Sequence, residues 1–100
     1  MVYVTVASKP EAEKIAQTLL KERLIACANI VGPVSSHFHW SGKFDSAEEY
    51  LMIMKSRAGL FGELEQRVKA LHSYEVPEVI AVSLVDGSKA YFDWMASVLK

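Results

Sequence analysis

Polar side chains collect around one proline in the C-terminal half of the chain. In the stretch LHSYEVPEVIAV, residues 71–82, His72, Glu75 and Glu78 surround Val76-Pro77 just before an apolar run. Imidazole suits copper, zinc and nickel, and carboxylates can complete such a ligand set. These three side chains are therefore a candidate site for a divalent metal ion, with copper as the first choice.

The same residues also have simpler interpretations, which stay open. A histidine at the end of a helix interacts favourably with the helix dipole, so His72 need not be a ligand. Glu75 and Glu78 can accept backbone N–H bonds around the proline or form ion pairs across a subunit boundary. One histidine without a partner at fixed spacing is a weak sign, so the sequence predicts a polar site at a strand mouth without defining its ligand.

His37 and His39 form a second candidate group. They are two residues apart on a predicted strand, so their side chains share a face about 7 Å apart, and His-x-His can chelate a metal. No third ligand is identifiable, and both alternate with Ser36, Phe38 and Trp40. An exposed or interface face of a hairpin is therefore the favoured interpretation.

The sulfur-containing residues suggest packing more than chemistry. Cys27 follows a predicted helix among small apolar residues, which favours an inert core thiol over a copper(I) ligand. Met52, Met54 and Met95 can be imagined as a thioether copper site, but methionine alternating on an apolar strand is more often pliable packing.

No enzyme motif is present. The chain has no Gly-rich phosphate loop, no nucleophile elbow and no HExxH, and Cys27 has no adjacent base in sequence. We therefore expect a binding protein and not an enzyme.

Composition limits the remaining classes. A chain of 100 residues, 51% apolar and 23% charged, predicts one domain over 1–100 with a modest core. With a net charge of −1 and scattered Lys and Arg, the sequence predicts no basic patch for binding nucleic acid. No apolar stretch approaches the roughly 20 residues that span a bilayer, so no membrane insertion is expected. A single cysteine and no secretory pattern at the N-terminus predict a cytoplasmic location.

Periodicity predicts the elements that must position these residues. β-Branched alternation indicates strands and three- to four-residue apolar spacing indicates helices. In chain order the prediction is strand 2–7, helix 10–24, a long strand 25–44 broken at Gly32-Pro33 and turning at Ser41-Gly42-Lys43, a return strand 48–57, helix 58–74, strand 78–85 and helix 89–100.

This order predicts an α+β fold, the ferredoxin-like βαββαβ plait with an added C-terminal helix. Its four-stranded antiparallel sheet contains a long central hairpin, and both crossover helices cover one face. The return strand is apolar on both faces, with Met52 and Met54 on one side and Leu51 and Ile53 on the other. Since the last helix spans only about 18 Å, we expect a homo-oligomer to bury the open face.

Several short motifs, in this order and at these spacings, resemble those of the CutA divalent-cation tolerance family from the first strand to the last helix. They are IACANI at 25–30, the spaced Ser36, Phe38, Trp40 and Gly42, KSR at 55–57, HSYEVPE at 72–78, and Tyr91 with Trp94.

The resemblance implies a homotrimer built by pairing long strands, with a cleft at each subunit boundary and a role in metal tolerance. Two departures stand out: Ser73 replaces the usual proline, which is expected to loosen the loop, and Phe38 replaces the usual tyrosine, which removes a hydroxyl. Some members carry a cysteine late in strand one, whereas this chain has Val6-Ala7-Ser8, so a soft-metal role is weaker.

Two functions follow as hypotheses. The first is a cytosolic trimer that binds copper or another divalent ion weakly at His72, Glu75 and Glu78. The alternative is a structural or signalling trimer whose cleft binds a small molecule or a protein segment. The residues predicted to line that cleft are Trp40, Lys55, Tyr74, Glu75, Glu78 and Trp94.

Overall fold

The computed structural model describes residues 1–100 and confirms the predicted order of elements. A short 3₁₀ turn, Ala58–Leu60, precedes the second helix. The elements are β1 Val2–Val6, α1 Lys9–Lys21, β2 Cys27–Trp40, β3 Lys43–Lys55, α2 Phe61–Leu71, β4 Val79–Ala81 and α3 Lys89–Val98.

The four strands form one antiparallel sheet in the order β2-β3-β1-β4. This is the ferredoxin-like α+β arrangement predicted from the sequence. Helices α1 and α2 cover one face of the sheet, where Val4 and Met52 pair across β1 and β3 and are fully buried. The buried helix residues Ile15, Leu19 and Leu64 belong to the same apolar cluster, so one core holds both helices to the sheet.

Local signals fix the ends of α1. Ser8 caps its N-terminus by accepting a hydrogen bond from the Glu11 N–H at 3.3 Å, and Pro10 lies in the first turn. The helix ends at Lys21, three residues before the predicted Leu24, because Arg23 takes a left-handed conformation with φ of 58°. This reversal turns the chain back and buries Leu24 against the core.

The long hairpin of β2 and β3 carries both predicted irregularities. Ser41 and Gly42 have φ of 52° and 75°, as a two-residue turn with positive φ at both positions requires. A bulge separates Val31 from Val34, and a side chain at Gly32 would collide with the Tyr50 ring. The bulge therefore depends on a glycine that lets the backbone lie against an aromatic ring.

β4 is shorter than predicted. It spans Val79–Ala81 instead of 78–85, because β1, its partner, starts at Val2. The last backbone bond joins the Val82 N–H to the Met1 carbonyl at 2.8 Å, and beyond it no strand lies alongside. Val85 is 98% exposed as a result.

The sheet face away from α1 and α2 has little cover. Leu51 and Ile53 project from this face and Ile80 is 52% exposed. α3 reaches the face near the start of β2, where the Tyr91 hydroxyl lies 3.8 Å from the Cys27 sulfur. α3 also stops at Val98, two residues short of the prediction. No helix in the chain has both the length and the apolar character to span a membrane.

We expect Gly32→Ala to lower the free energy of unfolding by about 1–3 kcal/mol, because the new methyl group overpacks against Tyr50. Gly62→Ala is the matched control: nothing lies within 4 Å of its Cβ position in α2, so alanine should stabilise by roughly 0.5–1 kcal/mol through helix propensity. Urea unfolding at one fixed protein concentration measures both. Equal changes of the same sign in the free energy of unfolding of the two variants would contradict the close approach of the Gly32 backbone to the Tyr50 ring.

Candidate functional site

One cavity of about 760 Å³ lies between the long hairpin and the loop that follows α2. Its size suits a small organic ligand. We call this cavity the cleft. It is lined by Thr5, Ser36, His37, Phe38, Trp40, Asp45, Glu49, Tyr74, Glu75, Val76 and Glu78.

The hairpin supplies one wall of the cleft through strand alternation. Ser36, Phe38 and Trp40 share one face of β2, and Asp45 lies opposite Phe38 on β3. Glu49, four residues further along β3, faces the same way. This wall continues the open face of the sheet beyond the reach of the helices.

The loop after α2 supplies the other wall and is tied to α1. The Ser73 N–H and hydroxyl both donate to the Glu11 carboxylate, at 2.9 and 3.0 Å. The expectation that serine loosens the loop is therefore wrong: proline could make neither bond, and serine makes two.

A hydrogen bond between Tyr74 and Glu49 links the two walls. The Tyr74 hydroxyl donates to Glu49 Oε2 at 2.8 Å, and Glu49 is only 7% exposed. Burial, this hydrogen bond and the nearby carboxylate charges raise the pKa of the Tyr74 phenol to about 12. Tyr74 thus remains a hydrogen-bond donor at neutral pH.

His72 lies behind this pair, at the end of α2, and its side chain has no exposed surface. Its Nδ1 accepts a hydrogen bond from the Tyr74 N–H at 3.0 Å, so the ring proton belongs on Nε2, which donates to the Thr5 carbonyl at 2.8 Å. The Glu11 carboxylate lies 3.6 Å from Nδ1. Both ring nitrogens are thus engaged inside the protein.

Comparison with known proteins places this arrangement in a family. The sequence model described as CutA1 divalent ion tolerance protein matches residues 1–98. The chain belongs to the CutA1 family. It is 44% identical over 94 residues to the divalent-cation tolerance protein CutA of Archaeoglobus fulgidus, covering 94% of this chain and 91% of that one. The CutA1 structure from Thermus thermophilus superposes with a TM-score of 0.97 at 39% identity, covering 99% and 96% of the two chains.

The family description refers to divalent ions, yet the predicted metal ligands do not form a metal centre. Glu75 and Glu78 line the cleft, whereas His72 does not, and its nitrogens are already bonded. No group of three or more His, Cys, Asp or Glu side chains in the chain is positioned to hold an ion. The residues of one chain therefore do not fit a preformed divalent-metal site at His72.

The six residues predicted to line a cleft between subunits separate into two groups within one chain. Trp40, Tyr74, Glu75 and Glu78 are brought together. Lys55 and Trp94 are elsewhere, because Lys55 ends β3 far from the hairpin turn and Trp94 lies on α3.

Lys55 instead contacts β2. Its ammonium donates to Cys27 Sγ at 3.3 Å and to Asn29 Oδ1 at 3.0 Å. Cys27 is thus a partly exposed thiol on the open face, and the prediction of a core thiol is wrong. Met52, Met54 and Met95 are buried, as packing residues should be.

Sequence reasoning missed several cleft residues. Glu49 and Asp45 follow from extending the alternation of Leu51 and Ile53 along β3, a signal that was available. His37 is also among the lining residues, but strand alternation places its ring on the other face of β2, where Nε2 lies 3.1 Å from the Ser35 hydroxyl. His39 differs, since its ring packs against Phe44 with centroids 4.7 Å apart and does not line the cleft.

We expect Tyr74→Phe to destabilise the protein by about 1–3 kcal/mol at neutral pH, because Glu49 loses its donor. The phenol pKa is raised from 10.0 to about 12 in the folded state. The stability that the protonated phenol contributes is therefore fully present below pH 10. It is lost as pH rises toward 12. Urea unfolding across this range should show the difference between the two proteins shrinking; a constant difference would contradict the raised pKa.

Proposed function

We propose that this CutA1-family protein is a homotrimer in divalent-ion tolerance that binds cations in the cleft. The observation that carries the proposal is the charge of the cleft wall. Four of its lining residues are carboxylates, and none is Lys or Arg. A concave surface of one sign focuses the electrostatic field and attracts ions of opposite charge. The carboxylates are Asp45, Glu49, Glu75 and Glu78.

Two features of the sheet support assembly from identical copies. The outer edges of β2 and β4 have no partner strand, and an unpaired edge favours pairing with another chain. On the open face, Val31 is 47% exposed and Ile80 is 52% exposed. In a closed trimer, pairing β4 of each copy with β2 of the next would satisfy both edges, and packing of the three open faces against one another would cover the apolar surface.

If the protein is a trimer, light scattering at micromolar concentration should give a mass near three times 11.1 kDa. Ile80→Asp should dissociate it, because the new carboxylate would be buried in the interface without a partner. Leu20→Asp is the control: Leu20 is 43% exposed on α1, away from the open face, and its substitution should leave the mass unchanged. A monomeric wild-type protein would overturn the proposed assembly.

For copper(II), His37 is the more accessible imidazole near the cleft, although strand alternation places its ring on the face of β2 opposite Phe38 and Trp40. Its only hydrogen bond within the chain is to the exposed Ser35 hydroxyl, which water can replace. His72 would have to break a buried bond to Thr5 or to the Tyr74 N–H. Weak copper binding at the His37 imidazole therefore costs less than binding at His72.

Calorimetric titration of the chelator-stripped protein with copper(II) tests this assignment. We expect His37→Ala to lower the affinity by about tenfold, or roughly 1.4 kcal/mol. His39→Ala is the matched control on the same strand and should bind normally. Unchanged affinity in His37→Ala would refute the assignment, and loss confined to His72→Gln would favour the site first predicted from the sequence.

The cleft also supports a second function, the binding of a small organic ligand or a protein segment. A metal ion would occupy little of a volume of about 760 Å³. Phe38, Trp40 and Tyr74 add aromatic surface, which carbon-containing ligands bind well and hydrated ions do not require. A trimer that carries three such clefts could act in signalling as well as in tolerance.

We also propose that the protein binds without catalysis and acts in the cytoplasm. With a pKa of about 12, the Tyr74 phenol is a poor acid or base at neutral pH. The lone thiol of Cys27 suits a reducing compartment.

A further inference from the structure

Glu49 is a buried carboxylate without a cationic partner. It is 7% exposed, yet none of the ion pairs in the chain includes it. The nearest donor is the neutral Tyr74 hydroxyl, which bonds Oε2 at 2.8 Å. A carboxylate withdrawn from water normally acquires a compensating positive charge, because desolvation of an unpaired charge is costly.

The other oxygen of Glu49 is available to a ligand. Oε1 accepts no hydrogen bond within the chain, while every fully buried polar side-chain atom has a partner. Oε1 therefore retains contact with the solvent, and Glu49 lines the cleft. An acceptor of this kind, in the lining of a cavity, suits a donor that carries positive charge.

Aromatic side chains surround the same space. Phe38 and Trp40 come from β2 and Tyr74 comes from the opposite wall. The negative face of an aromatic ring attracts organic cations, and desolvation in a cleft strengthens this attraction. A carboxylate together with aromatic walls matches a ligand that is both charged and apolar.

We propose that the cleft selects a small organic cation, an amidinium, guanidinium or ammonium group attached to an apolar body. The N–H groups of the cation donate to Glu49 Oε1, and the apolar body packs on Trp40. The volume of about 760 Å³ accommodates such a molecule. This inference rests on the second function proposed above and names the ligand class of that site.

The test compares benzamidine with benzamide, which share shape and aromatic ring but differ in charge. Trp94→Phe leaves Trp40 as the only tryptophan, so its fluorescence reports on the cleft. The titration uses the intact oligomer with a chelator present, which removes metal binding from the measurement. We expect benzamidine to bind about tenfold more tightly than benzamide, and to weaken as salt is added.

Adjacent glutamates on β3 provide a matched pair of variants. In the Trp94→Phe background, Glu49→Gln should lower benzamidine affinity about tenfold and leave benzamide affinity unchanged. Glu48→Gln should change neither, because Glu48 projects from the opposite face of the strand and does not line the cleft. Circular dichroism and light scattering check that both variants fold and assemble as the parent does.

Each outcome decides one claim. Tighter binding of benzamidine than of benzamide, lost in Glu49→Gln, supports the proposal. Equal binding of the two compounds overturns the cation preference and leaves a ligand-binding cleft. No binding of either compound overturns the organic-ligand function together with this inference, while the copper titration stands as a separate test. The comparison of two ligands on one protein remains decisive even if Glu49→Gln does not fold.

Discussion

The cleft depends on the two hydrogen bonds of the buried His72 ring. Through Nε2 the ring is held to the Thr5 carbonyl of β1, and through Nδ1 it holds the Tyr74 N–H of the loop. Tyr74 in turn donates to Glu49 on the hairpin. One neutral imidazole therefore connects sheet, loop and hairpin, and its loss would leave buried polar groups unpaired on both sides.

This chain of bonds explains why the histidine nearest the acidic loop does not enter the cleft. A histidine with a donor on one side and an acceptor on the other has a fixed tautomer and no free lone pair. The same connection is reinforced by Ser73, which holds the loop to Glu11 through its N–H and hydroxyl. The lining of the cleft is thereby left to the carboxylates and the aromatic rings.

Patterns within one segment predicted the fold well, because periodicity and turn residues act locally. They gave the order of elements, the break at Gly32 and the turn at Ser41-Gly42. What they missed depends on distant partners. The end of β4 is set by the start of β1, and the burial of His72 is set by a carbonyl 67 residues away.

The length of the hairpin also connects assembly to the cleft. Its distal half extends beyond α1 and α2, so Trp40 and Phe44 are 62% and 84% exposed in the single chain. A two-stranded ribbon without a packed face is marginally stable in water, and large exposed aromatics mark a contact surface. Because Phe38 and Trp40 form one wall of the cleft, whatever packs against this ribbon also fixes that wall. In the proposed trimer, ligand binding in the cleft and oligomerisation would then be linked, each changing the free energy of the other by the same amount.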